Sequence, residues 1–192
     1  MKIKTALAVV CLSITSHSFA ALIAGDKAPN FKIPASFAGK STDFSLKEQL
    51  KKGPVVVYFY PSAYTNGCNT QAHNFSVNSA KFAAAGASIV GISLDSIDRL
   101  NTFSADPEYC AGKFPVASDS DGKVAKAYAL NVKDAMEGKL DTRGASIDHG
   151  FAERTTFVIT PDGKIAATIG GLSPAENVAK ALEFVQTLAP KK

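Results

Sequence analysis

Two kinds of apolar pattern alternate along the chain. Val55-Val56-Val57-Tyr58-Phe59-Tyr60 is β-branched and aromatic with no polar alternation, the pattern of a strand buried on both faces. Residues 87–93 and 155–160 have the same character, and shorter strands are predicted at 30–33, 42–44, 114–117 and 164–169. Gly39 joins the first two short strands, and Pro161-Asp162-Gly163 turns 155–160 back into 164–169 as a hairpin. Between the strands lie stretches of helical character. One is expected over 69–85, stopped by Gly86, another from about residue 96, and a third over 123–130. Ser45-Leu46-Lys47-Glu48 reads as a capping box for a short helix ending near Gly53.

The last helix is announced by Ser173-Pro174-Ala175-Glu176: an N-cap serine, a proline in the first turn and a capping-box acid. Val178, Leu182, Val185 and Leu188 then recur at helical spacing. Residues 131–152 are charged, glycine-containing and aperiodic, and read as a long surface loop. The order β-α-β-α-β-α-β-β-α, preceded by a hairpin, predicts an α/β fold with a mixed central sheet and helices on both faces.

The first twenty residues belong to a different pattern. Lys2 and Lys4 precede an apolar stretch, Ala6-Leu7-Ala8-Val9-Val10-Cys11-Leu12, and the segment ends Ser18-Phe19-Ala20. This basic, apolar, small-residue order is that of a secretory signal peptide. Its apolar part runs to only about ten residues, too short to span a bilayer. The expected organisation is a cleaved signal at 1–20 and one domain at 21–192, exported to the periplasm or the medium, with no membrane attachment after cleavage. Composition agrees with an ordinary globular domain: 192 residues, 46% hydrophobic and 20% charged. The formal charge of +4 falls further when Lys2 and Lys4 leave, and no basic patch points to nucleic acid.

Of 3 cysteines, Cys11 leaves with the signal, so Cys68 and Cys110 remain. Two cysteines in an oxidising compartment read first as a disulfide. Cys68, however, falls where the buried strand gives way to a helix. Unpaired N–H groups and the positive end of a helix dipole favour a thiolate there, which is the reactive form. From the residues alone both readings stand, a structural thiol and a reactive one.

Pro61, Thr65 and Cys68 fit the P-x-x-x-T-x-x-C signature of the peroxiredoxins, the thiol peroxidases. Gly25-Asp26-Lys27-Ala28-Pro29-Asn30-Phe31 resembles that family's G-x-x-A-P-x-F. Phe114-Pro115-Val116-Ala117-Ser118-Asp119 resembles F-P-L-L-S-D, and Arg154-Thr155-Thr156-Phe157-Val158-Ile159 with Pro161-Asp162-Gly163-Lys164 resembles R-x-T-F-x-I-x-P-D-G-K. The segments occur in the family's order. The chain is most similar to the bacterioferritin-comigratory, or Q-type, group. It departs from that group at Asn66, where proline is usual, and at His73, where many members carry a resolving cysteine.

The resemblance implies a thioredoxin-like fold and a set of roles. Cys68 would attack the peroxide, and Arg154 would favour its thiolate and hold the peroxide oxygens. Thr65 would exchange a hydrogen bond with the substrate, and Pro61 would shield the sulfur. Cys110 would be the resolving partner, the alternatives being a permanent disulfide or an unpaired thiol. A helix cap for Thr65, a strand stop for Pro61 and an ion pair of Arg154 with Glu153 are the plainer readings of the same residues. The implied partners are a peroxide, hydrogen peroxide or an organic hydroperoxide, and a separate thioredoxin-like dithiol protein as reductant. The resemblance also implies a monomer, with a weak dimer as the alternative.

No cofactor is expected, since the chain has neither G-x-G-x-x-G nor a P-loop. No metal is expected, since His73 and His149 lack ligand spacing; both are assigned structural or solvent roles. An exported thiol-disulfide oxidoreductase of the same fold would need C-x-x-C, but Asn69-Thr70-Gln71 follows Cys68. A non-catalytic module with a structural disulfide is the other competing class.

Overall fold

In a computed structural model, residues 21–189 are described; the signal segment at 1–20 lies outside the described residues. The chain begins with a hairpin, β1 (Lys32–Phe37) and β2 (Lys40–Ser45), and a short helix α1 (Leu46–Leu50). Next come β3 (Val55–Phe59), α2 (Asn66–Ala84), β4 (Ser88–Ser93), α3 (Ile97–Ala105), β5 (Val116–Ser118) and α4 (Lys123–Ala127). A small two-stranded pair, β6 (Val132–Lys133) with β7 (Phe151–Ala152), precedes β8 (Thr155–Ile159), β9 (Ile165–Gly170) and α5 (Pro174–Leu188).

Seven strands form one mixed sheet in the order β2-β1-β5-β4-β3-β8-β9. β3 pairs parallel with β4 and antiparallel with β8, so it sits inside the sheet with both edges satisfied. Its side chains alternate between two apolar layers. Val55, Val57 and Phe59 join Phe31, Phe44 and Tyr128 on the face covered by α1 and α4. Val56, Tyr58 and Tyr60 join Phe75, Phe103 and Val178 on the face covered by α2, α3 and α5. All five β3 residues are buried, which is why the strand tolerates no polar alternation. The hairpin expected as an extension is stitched into the sheet, because β1 pairs antiparallel with β5 through Ala35 and Ser36.

Of three local expectations, one holds and two change. The α5 capping box is complete: Ser173 and Glu176 each bond to the other's backbone. The one expected at Ser45 is half formed. Ser45 Oγ accepts from the Glu48 N–H at 3.5 Å, but the Glu48 carboxylate turns to Lys51 Nζ at 2.7 Å. The helix expected from residue 69 starts at Asn66, which puts Cys68 inside the first turn.

Residues 131–152 are largely exposed, as expected of a surface loop, but they are anchored at several points. They contribute β6 and β7, bury Ile147 and Asp141, and pack onto the loop between β3 and α2. The segment has no apolar stripe because it is held at separate points, such as Ile147 and the Asp141 carboxylate, rather than along one buried face.

Phe44 on the outer hairpin strand is 3% exposed and stacks on Phe31 with ring centroids 5.9 Å apart. Phe44→Ala is expected to lower unfolding free energy by about 3–5 kcal/mol in urea melts, with an unchanged m-value.

Candidate active site

The buried strand β3 delivers the chain to Pro61-Ser62-Ala63-Tyr64-Thr65, and α2 follows at once. Thr65 holds the N-cap position with extended backbone but makes no side-chain cap. Its Oγ1 donates instead to the Ser62 carbonyl at 2.9 Å. Asn69 N–H donates to the Thr65 carbonyl at 2.8 Å, the first bond of the helix. The N–H groups of Asn66, Gly67 and Cys68 therefore have no intrahelical acceptor, and the positive end of the helix lies beside the Cys68 thiol.

Cys68 is 1% exposed, and Arg154 Nη2 lies 3.3 Å from its sulfur. Arg154 does not pair with Glu153; among the described residues no carboxylate forms a salt bridge with it. Its other terminal nitrogen, Nη1, donates to Gln71 Oε1 in a short contact. Gln71 Nε2 donates to Asn177 Oδ1 at 3.0 Å, and Asn177 is held by Thr156 Oγ1 and by the Ile169 carbonyl. Gln71, Asn177 and Thr156 are all fully buried, so α2, α5 and β8 are joined behind the guanidinium by one polar relay. Gly67 leaves room for it: a Cβ there would sit 3.1 Å from Arg154 Nη2 and 3.3 Å from Pro174 Cγ.

Pro61, Thr65 and Arg154 line one pocket of about 860 Å³. The far wall comes from the 131–152 segment, with Met136, Leu140 and Phe151 apolar and Lys133 and Lys139 cationic. Four of the five expected residues are thus brought together: the Cys68 thiol, a cation against it, and a hydroxyl and a proline that line the pocket beside them. Such a site can present a buried sulfur to a small polar electrophile and hold that electrophile's oxygens by N–H donors.

Cys110 is the fifth. It lies in the turns after α3, not on the helix, and is fully buried in the same apolar layer as Cys68. Both are free thiols. Burial, reinforced by the charge of Asp106, pushes the Cys110 thiol well above the ordinary cysteine range. His73 Nδ1 contacts the Glu108 carbonyl at 2.9 Å, tying α2 to the segment that carries Cys110. Among the described residues no group of three or more His, Cys, Asp or Glu is placed to hold a metal ion.

Sequence reasoning missed Gln71 and the buried charges behind the loop. Gln71 had a usable signal, since it stands at i+3 from Cys68 on one helix face. Asp95 had a weaker one, a carboxylate closing an apolar strand. It is 0% exposed, accepting from Ser62 Oγ at 2.9 Å, the Ala63 N–H at 2.8 Å and Ser93 Oγ at 2.6 Å. His149 Nε2 meets it at 2.8 Å. His149 is therefore a structural partner, not a solvent-facing loop residue.

These features define a peroxiredoxin, with a thiol at the start of the helix after β3 facing an arginine that precedes the neighbouring strand β8 of a thioredoxin-like sheet. The chain matches the AhpC/TSA family over residues 24–168 and belongs to it. It is 33% identical over 146 residues to peroxiredoxin Bcp of Escherichia coli K12, spanning 75% of this chain and 83% of that protein. Identity to peroxiredoxin Bcp of Xanthomonas campestris is 32% over 138 residues, spanning 72% and 78%. Among solved structures, peroxidoxin BcpB of Mycobacterium tuberculosis matches with a TM-score of 0.73 at 30% identity, over 88% of this chain and 99% of that one. Within the family the chain falls in the Bcp, or Q-type, group.

Two outcomes follow from the site's polar neighbours. Gln71→Leu removes the acceptor that aims Arg154 and one of the two donors to Asn177 Oδ1, so the rate of Cys68 oxidation by peroxide should fall roughly tenfold, measured by competition with a haem peroxidase. The second concerns His149. Burial opposes its charge, but the hydrogen bond and charge of Asp95 outweigh this and raise its pKa above the ordinary histidine value. For Asp95, burial is outweighed by His149, Ser93 and the Ala63 N–H, so its pKa is lowered. A raised histidine contributes stability below its unfolded pKa and loses it as pH rises through the folded value. Melting temperature should be higher near pH 6 than at about pH 8.5, and His149→Gln should flatten that slope.

Proposed function

We propose that the protein is an exported peroxidase that reduces hydroperoxides through Cys68 and is recycled through Cys110. The observation that carries this reading is the 3.3 Å contact of Arg154 Nη2 with Cys68 Sγ, beside a pocket lined by Pro61 and Thr65. The Cys68 thiolate attacks the outer peroxide oxygen, the O–O bond breaks, and the departing alkoxide or hydroxide takes a proton. Arg154, Thr65 and the N–H groups of the first helical turn hold the two oxygens as charge moves onto the leaving one. Cys68 is left as a sulfenic acid. The Cys110 thiol then attacks that sulfur, forming a Cys68–Cys110 disulfide and releasing water.

A thioredoxin-like dithiol protein reduces the disulfide by exchange, becoming oxidised itself. The pocket admits hydrogen peroxide, and its volume and its Met136, Leu140 and Phe151 wall favour an organic hydroperoxide. A structure of the Xanthomonas campestris bacterioferritin comigratory protein, 28% identical with a TM-score of 0.65 over 82% of this chain and 92% of that one, concerns alkyl peroxide reduction. That supports the same substrate class here. The order of charge and apolarity in residues 1–20 supports a cleaved signal and a periplasmic site of action. The working unit is a monomer.

Mass spectrometry of the exported, reduced protein before and after one equivalent of peroxide tests each part. The expected result is an N-terminus at Ala21 and a Cys68–Cys110 disulfide. In Cys110→Ser the sulfenic acid should persist long enough for dimedone to trap it, and in Cys68→Ser no oxidation should occur. A Cys68 that stays a free thiol would overturn the peroxidase reading; a dimedone-trapped Cys68 in the wild type would overturn the role of Cys110.

A further inference from the structure

The loop that carries Pro61 and Thr65 contains a conformational anomaly. Tyr64 has φ +61°, in the left-handed region. A bulky side chain there costs on the order of 1–2 kcal/mol and persists only where its surroundings over-determine it. Ala63 and Tyr64 form a turn that leads into α2, and its second position ordinarily takes glycine or asparagine rather than a tyrosine. What holds it comes from the segment after β6.

Thr142 grips the Tyr64 carbonyl twice, through its N–H at 2.8 Å and its Oγ1 at 2.9 Å. Arg143 lays its guanidinium over the Tyr64 ring with Cζ 3.2 Å from the centroid, and Arg99 approaches the same ring at 5.8 Å. Arg99 Nη2 also donates to the Ala63 carbonyl at 3.0 Å. One carboxylate joins both arginines, and Arg99 is also paired through Nε with Asp95 Oδ1 at 2.9 Å. Asp141 Oδ2 accepts from Arg99 Nη2 at 2.8 Å and from Arg143 Nη2 at 2.9 Å and Nε at 3.1 Å. Its Oδ1 accepts the N–H groups of Arg143 at 2.8 Å and Ala145 at 3.0 Å. The Asp141 side chain is fully buried and its acceptor capacity is used inside the protein.

We propose that Asp141 is a positioning residue for the peroxide reaction: it arms a clamp, Thr142 and Arg143 with Arg99, that holds Tyr64 left-handed and so keeps Thr65 and the first turn of α2 in reactive register. This rests on the peroxidatic reading of Cys68. Asp141 touches neither that sulfur nor its guanidinium partner; it acts through two arginines and a strained tyrosine. Released, Tyr64 relaxes toward negative φ, Thr65 loses its place at the helix start, and Cys68 comes out of its 1% exposure. The clamp thus serves attack on peroxide and opposes general access to the sulfur.

The test measures two rates on the full mature chain. Asp141→Asn should slow Cys68 oxidation by hydrogen peroxide at least tenfold while speeding its alkylation by iodoacetamide severalfold. Arg143→Lys, which keeps the charge but loses the planar stack, should move both rates in the same directions by less. Phe44→Ala, destabilising on the other side of the sheet, should leave both rates as in the wild type. Tyr64→Gly removes the left-handed cost, so Asp141→Asn should have a much smaller effect in that background. Unchanged rates in folded Asp141→Asn, parallel slowing of both reactions, or full additivity with Tyr64→Gly would each overturn the clamp. If the wild type ignored peroxide, the peroxidatic reading would fail, and the alkylation arm would still decide whether Asp141 holds the loop.

Discussion

A guanidinium set against a buried sulfur has to find acceptors without losing its charge to a carboxylate. Arg154 meets this constraint through the neutral Gln71 side chain, and much of the fold serves that contact. Gln71 is aimed by Asn177, and Asn177 by Thr156 and the Ile169 carbonyl, so two helices and two strands converge behind one side chain. An ion pair in the same place would have cancelled the positive field at Cys68. An amide accepts the hydrogen bond and leaves the field intact.

The opposite strategy operates on the other side of the loop. Asp95 and Asp141 are buried carboxylates, and a buried charge persists only when it is paired and hydrogen-bonded. Their partners, His149, Arg99 and Arg143, come from α3 and the segment between β6 and β7. Pairing and hydrogen bonds offset the cost of desolvating these groups, and the same contacts hold Ser62, Ala63 and Tyr64 in place. Neutral polar groups aim the cation, and charged groups hold the loop. The division keeps the field at the sulfur separate from the rigidity of the frame around it.

What the sequence by itself determined is whatever depends on local spacing. The unbroken apolar run at β3 signals burial on both faces, and the structure divides its side chains between two layers by strict alternation. Ser173, Pro174 and Glu176 announce α5 because capping is a contact between residues three apart. Cys68 is legible as a thiol at a helix start for the same reason, and Pro61, Thr65 and Arg154 are legible through their motif spacing.

Only the tertiary structure decided the role of 131–152, the pairing of Arg99 with Asp141 across 42 positions, and the left-handed turn at Tyr64. Long charged side chains reach partners in no fixed register, so charge pairing leaves no periodic trace in the chain. A tyrosine in the left-handed region breaks a local preference, and such a break is invisible until the contacts that enforce it are assembled. The Ser45 box fails in the same way, since Glu48 had two partners within reach and Lys51 prevailed. Local rules specify the strands, the caps and the place of Cys68 at a helix start; the conformation of the loop that presents it is settled by contacts made across the fold.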